Sequence, residues 1–311
     1  MALLSARALA PLTAFLLLAV VTLSVRSTWL SPLSDIQKFN SIIHDTSLDY
    51  SDLTQDHYPA RPNLSQNASI GKCTSVYGEY GHEYDEALET HLRHNQLHRY
   101  PFRVLRQPIL DGLWSKEAAL LGVLLQELGR NEAVRLRWLA WFDADTIIIN
   151  PLIPLETFLP PINMPDVQAL VTEDWNGLNN GVFYLRVSAW NVEMLSAVIA
   201  YRTFKPDESL PFTEQSAMAA ILRDPKFHRN VTVVPSTWFN AYPSEWSPNG
   251  VSYQVKQGDM VLHFAGVNRK PSALRNWLLT IAKERNLWER PLADTTIVAQ
   301  VQGFWEDYRV A

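Results

Sequence analysis

The chain is nearly without cysteine. Cys73 stands alone among 311 residues, so no internal disulfide can form. No histidine is evident beside it to activate a thiol, and it reads as a buried strand residue. Positive charge is not in surplus either. A formal net charge of −5 and the lack of a basic aromatic stripe argue against a nucleic-acid partner. There is no GxxxxGK[ST] phosphate loop, no GxGxxG, no zinc-ligand spacing, no G-x-S-x-G elbow and no internal repeat. What is present is an ordinary globular composition, 47% hydrophobic and 19% charged, long enough for one large α/β domain or two small ones. Tryptophan is plentiful at eleven residues. Carbohydrate sites use such rings as stacking platforms, although most large aromatics are core.

The strongest local signal is Trp138–Pro151, WLAWFDADTIIINP. The apolar run Trp138 to Phe142 suits a central strand covered on both faces. It ends abruptly in Asp143-Ala144-Asp145, at the carboxyl end of the strand, where open α/β sheets bind ligands. Residues two apart on a strand share a side, so both carboxylates can face one hard divalent cation, which takes oxygen ligands. The competing explanation for a lone DxD is a turn that uses Asp for its side-chain hydrogen bonds.

Residues 8–25 form an uncharged apolar segment between Arg7 and Arg26, at the short end for a membrane span. The alternatives are an uncleaved signal anchor, which we favour, and a cleaved signal peptide. Asn63, Asn67 and Asn230 head N-x-[ST] triplets, which favours a globular part facing the secretory lumen. The expected division is residues 1–26 as cytoplasmic tip and anchor, 27–70 as a polar stem with a short helix near 34–43, and 71–311 as the globular domain.

Within that domain the pattern predicts a strand over 72–77, a helix over 84–99, a strand over 102–105 and a helix over 114–128 with Ser115 as its cap. Thr74 to Gly78 would line a nucleotide at the first strand-to-helix loop. His91, His94 and His98 recur along one side of the first helix and read as a solvated face rather than a metal face. Lys116 reads either as an exposed lysine or as a phosphate ligand. Residues 147–165, rich in proline, read as a rigid surface loop. Strands follow over 167–171, 182–185, 231–235 and 259–264. Asn176 to Gly181, with three Asn and two Gly, reads as a ligand-approaching loop or a β-turn. Glu214 and Gln215 open a helix and either cap it or face a pocket. Trp238 to Tyr242 is an aromatic-polar cluster suited to an acceptor sugar, with Trp238 and Asn240 as its contacts. His263 ends a strand and is a candidate third metal ligand. Residues 270–308 read as amphipathic helix with Trp277, Trp288 and Trp305 as anchors.

Five segments occur in the order seen in glycosyltransferase family 34: Trp114-Ser115-Lys116, Phe142-Asp143-Ala144-Asp145, Gly177-Leu178-Asn179-Asn180-Gly181, Glu214-Gln215-Ser216-Ala217 and His263-Phe264-Ala265-Gly266. The resemblance covers about residues 72–285 and is greatest to the fungal α-galactosyl- and α-mannosyltransferase branch, with plant xyloglucan xylosyltransferases as relatives. It implies a GT-A fold, a Rossmann-like, mostly parallel sheet flanked by helices. It also implies a Mn²⁺-dependent nucleotide-sugar donor, UDP-hexose or GDP-hexose, with retention of configuration onto a glycan or glycoprotein acceptor. The type II topology it implies is held in the Golgi membrane through residues 8–25. Asp145 and His263 would hold the metal, and Asp143 the metal or the ribose. Lys116 would approach the diphosphate, Asn179 and Gly181 the donor sugar, and Gln215 with Glu214 the reacting carbon. The alternatives are an α-mannosyltransferase using GDP-mannose and a catalytically silent subunit of a complex with other glycosyltransferases. The chain departs from the family at Asn180, where Thr or Ser is frequent, and at Val267-Asn268, where plant members carry Cys-Lys; the nearby cations here are Arg269 and Lys270.

Overall fold

Strand β3, Trp138–Phe142, is the axis of the fold and is buried along its whole length. Trp138, Ala140 and Phe142 enter one apolar cluster and Leu139 and Trp141 another. The side-chain period of two therefore feeds a core on each face of the sheet, which is why the run carries no polar residue. The computed structural model describes residues 70–246 and 253–309. The predicted anchor, the stem helix and the sequons at Asn63 and Asn67 lie outside those residues. No helix among the described residues is long and apolar enough to cross a membrane.

In chain order, β1 (Ile70–Ser75) leads to helix α1 (Glu83–His98), then β2 (Phe102–Leu105) and α2 (Ser115–Leu128), before β3. β4 (Thr146–Ile148), β5 (Ala169–Asp174) and β6 (Gly177–Arg186) follow, then α3 (Ala189–Phe204) and α4 (Thr213–Leu222). The remainder is β7 (Val231–Val233), β8 (Val261–His263), α5 (Lys270–Lys283), the single turn α6 (Arg285–Trp288) and α7 (Ile297–Tyr308).

The main sheet runs β2-β1-β3-β6-β5-β7. β1 is parallel to both β2 and β3, and β5 is parallel to β7, whereas β6 is antiparallel to both its neighbours. The sheet is thus mostly parallel, as expected, with β6 alone running against the other five strands. β4 and β8 form a separate antiparallel pair, with Thr146 opposite His263.

Four expectations are corrected. Residues 147–158 are not a surface loop, whereas 159–165 are one, with Ile162 92% exposed. Ile147, Ile148 and Ile149 belong to or adjoin β4, and with Ile153, Leu155 and Phe158 they are buried. Proline stiffened the chain there without exposing it. Residues 177–181 are strand rather than loop, since β6 starts at Gly177 and the turn falls just before it. The histidine side of α1 is not solvated: His91 and His94 are buried. His91 Nε2 reaches Thr146 Oγ1 at 3.1 Å, and His94 Nε2 reaches the Ile153 carbonyl at 2.9 Å. The polar character of imidazole concealed an inward face that packs on the small sheet. Ser115 does not cap α2 in the usual way either; its hydroxyl accepts from the amides of Ile109 and Leu110 and fixes the preceding loop.

Candidate functional site

The two carboxylates lie past the end of β3, in a turn closed by the Thr146 amide donating to the Asp143 carbonyl at 3.1 Å. The turn geometry, not strand alternation, sets their directions. β8 then delivers His263 from far along the chain, because the small sheet pairs it with Thr146. Two backbone bonds lock the join: Phe264 N to the Asp145 carbonyl at 3.0 Å and Asp143 N to the Gly181 carbonyl at 2.7 Å. One ligand atom each from Asp143, Asp145 and His263 lie within 4.8 Å of one another. Two carboxylates and an imidazole fit a divalent cation of the Mn²⁺ or Mg²⁺ type.

Each carboxylate has a cationic neighbour. Lys116 is buried, contrary to the exposed-lysine alternative, with Nζ 3.0 Å from Asp143 Oδ1 and 3.5 Å from Glu214 Oε1. It also donates to the Asn180 carbonyl and to Asn180 Oδ1 at 3.1 and 3.2 Å. Burial opposes its charge, but Asp143 and Glu214 outweigh that and raise its pKa. Lys270 Nζ contacts Asp145 Oδ2. Burial opposes ionisation of Asp145, yet His263 when its ring is protonated, and then Lys270, prevail and hold its carboxyl well below the usual range. Trp141 Nε1 donates to Asp143 Oδ1 at 2.7 Å.

Glu214 and Gln215 open α4, where the helix dipole is positive. Glu214 is buried beside Lys116, and Gln215 Oε1 accepts from the Asn180 amide at 3.2 Å. Thr213, just before them, has φ +48°, and Arg269, just before Lys270, has φ +51°. Backbone held in this sparsely populated region is a mark of functional sites. Thr74 is buried near the carboxyl end of β1. The pairing of Cys73 with Trp141 sets it level with Phe142, one residue short of the acidic turn.

The acceptor pair assigned from sequence is corrected. Trp238 is a core residue at 1% exposure, stacked on Phe158 and edge-on to Phe304; it has no free face for a sugar. Asn240 is fully buried and bonds to His263 rather than facing solvent. Asn179 and Gly181 are likewise turned to protein partners. Asn179 donates to Asp174 and Tyr242, and a Cβ on Gly181 would stand 2.0 Å from His263 Cε1. Sequence reasoning missed Trp141 and Asp174 as neighbours of the site. The alternation of β3 carried the one available signal, since it sets Trp141 two residues before Asp143.

The mixed α/β fold, a central sheet flanked by helices, has GT-A glycosyltransferases as its structural neighbours. The chain superposes on the crystal structure of a glycosyltransferase involved in the glycosylation of the major capsid of PBCV-1 with TM-score 0.51 and 15% identity, over 67% of this chain and 98% of that one. Residues 161–272 match the galactosyl transferase GMA12/MNN10 family, and the resemblance to glycosyltransferase family 34 is borne out. The match includes Asn179, Glu214, Gln215 and His263; the geometry joins the acidic pair to them. An alpha-1,2-galactosyltransferase of Schizosaccharomyces pombe is 30% identical over 125 residues, 37% of this chain and 30% of that protein. The probable alpha-1,2-galactosyltransferase gmh1 of the same organism is 23% identical over 217 residues, 58% of this chain and 62% of that one. The chain thus spans 30% to 62% of the length of these relatives.

Proposed function

We propose that the protein is a retaining, Mn²⁺-dependent hexosyltransferase that moves galactose from UDP-galactose in α-linkage onto a glycan acceptor. The observation that carries this reading is the convergence of Asp143, Asp145 and His263 from two sheets onto one point. The names of the two fungal relatives favour galactose over mannose. A divalent cation held there would offset charge on the departing nucleoside diphosphate. Lys116 and Lys270 add fixed positive charge beside the acids, and Glu214 and Gln215 are assigned to the side of the reacting carbon. With Trp238 in the core, acceptor contact passes to Trp175, which is exposed and packs on Tyr242 with ring centroids 5.0 Å apart. Residues 1–26 as signal anchor and 27–70 as stem would place residues 71–311 in the Golgi lumen. Glycosidase-sensitive mass on the secreted-pathway protein is expected, and its absence would remove the luminal assignment.

The test is turnover of UDP-galactose and GDP-mannose by the purified full chain, with Mn²⁺ and with EDTA. Transfer or hydrolysis of the UDP-sugar that EDTA abolishes is expected, and Trp175→Ala should raise the acceptor KM while leaving donor hydrolysis intact. Turnover of GDP-mannose instead would reassign the donor. Turnover of neither would make the chain a silent subunit.

A further inference from the structure

Behind His263 lies a closed run of amides whose orientations follow from one another. Gly181 N–H donates to the side-chain atom of Asn179 at 2.9 Å. A backbone N–H only donates, so that atom is Oδ1, and Asn179 Nδ2 must face Asp174 Oδ2 at 3.0 Å and the Tyr242 hydroxyl at 2.6 Å. The Tyr242 hydroxyl passes its own proton to Asp174 Oδ2 at 2.6 Å. Asn179 Oδ1 also accepts from Asn240 at 3.0 Å. Only an NH₂ can serve there, so Asn240 Nδ2 points to Asn179 and to Thr172 Oγ1, the latter at 2.6 Å. The remaining end of the Asn240 amide, Oδ1, therefore faces His263 Nδ1, 2.7 Å away. An amide oxygen only accepts, so His263 Nδ1 carries the proton. In the neutral ring this leaves the Nε2 lone pair turned toward Asp145 Oδ1, 3.4 Å distant.

We infer that Asn240 is the positioning residue of the site: the Gly181–Asn179–Asn240 relay fixes His263 as the Nδ1–H tautomer and presents Nε2 to a divalent cation. The assignment rests on the metal-site reading above. It gives that reading a supporting partner of the kind metal-binding histidines use, in which the second ring nitrogen donates to a fixed acceptor. It also accounts for a fully buried Asn, whose polar atoms are all used.

The direct test is ¹⁵N NMR of histidine-labelled, metal-free full chain above the imidazole titration range, with the His263 signals assigned by a His263→Gln control. The expected spectrum shows protonated Nδ1 and bare Nε2. The Nε2–H tautomer would overturn the inference, and this measurement needs no substitution in the relay. Asn240→Ala should weaken Mn²⁺ binding, measured calorimetrically, by about 10- to 100-fold. Thr172→Val removes one amide anchor without touching the His263 bond, so it should lower stability yet keep both tautomer and Mn²⁺ affinity. A folded Asn240→Ala protein with Mn²⁺ affinity within about twofold of the parent would contradict the role of Asn240 in orienting the His263 ring. A parent protein that binds no Mn²⁺ but shows the Nδ1–H ring would sink the metal reading and leave the relay standing.

Discussion

Gly181 has no room for a side chain. A methyl group there would meet the His263 ring at Cε1, 2.0 Å away, with both ring nitrogens at 2.7 Å. The ring is held by Asn240 and cannot swing aside without breaking that bond. Gly181→Ala is therefore expected to destabilise the fold by about 1–3 kcal/mol and to abolish Mn²⁺ binding; thermal melts with and without Mn²⁺ measure both. Lys116 presents a different case. It is the shared counter-ion of Asp143 and of the buried Glu214. Lys116→Met leaves a buried carboxylate without its cation, a change that costs about 3–5 kcal/mol, readable as a fall in the urea midpoint. At this scale the candidate ligands were open to a linear reading, but not their supports. Asp143 and Asp145 stand out by type and setting, and His263 only through the family resemblance. Asn240 was visible as polar, yet nothing in a linear reading distinguishes an amide that faces a sugar from one that faces a histidine. Lys270 is similar: it was legible as a cation near the site, but its contact with Asp145 depends on how α5 leaves Arg269.

Elements carry charge inward in two places. On α2, Glu117 is fully buried, and neither carboxylate oxygen has a hydrogen-bond partner among the described residues. Burial pushes its pKa up from 4.5 to about 8, with Lys116 opposing and Glu214 adding to the rise. The folded state thus keeps a proton that the unfolded chain has lost. Stability from this group is present below about pH 4.5 and declines as pH climbs to about 8. Glu117→Gln should flatten that decline, seen as a smaller drop in melting temperature between pH 5.5 and 8.5 (about 3 pH units). On α1 the sign reverses. His94 accepts from Lys72 Nζ at 3.3 Å through Nδ1 while Nε2 donates to the Ile153 carbonyl, an arrangement that needs a neutral ring. Burial first and Lys72 second lower the pKa of both His91 and His94 well below 6.5. Stability from these rings is present above the unfolded value and is lost as pH falls below it. His94→Gln keeps a donor and an acceptor and should resist acid unfolding better than the parent in a pH-dependent melt. The spacing of these histidines along one helix side was plain in the sequence. Its direction was not, because imidazole packs on apolar surface as readily as it meets water.

For the molecule as a whole, β3 was legible residue for residue because a strand covered on both faces leaves a continuous apolar run. The reversal at β6 was not, since Asn179, Asn180 and Gly181 are poor strand formers; Asn179 is held by pairing with Thr172 of β5, and the Gly181 carbonyl accepts from the Asp143 amide. The small β4–β8 sheet was hidden for a related reason. Each strand has three residues, and their partnership depends on the distant arrival of β8 against the acidic turn. That partnership makes the site, since it brings His263 to Asp145 across more than a hundred residues of chain. The most direct measurement is therefore Mn²⁺ titration of the purified full chain, parent against Asp145→Asn and His263→Gln, followed by UDP-galactose turnover in the same samples. The account predicts saturable Mn²⁺ binding that supports turnover in the parent, and loss of both in each variant with the fold intact by circular dichroism. Undiminished Mn²⁺ binding and turnover in either variant would contradict it.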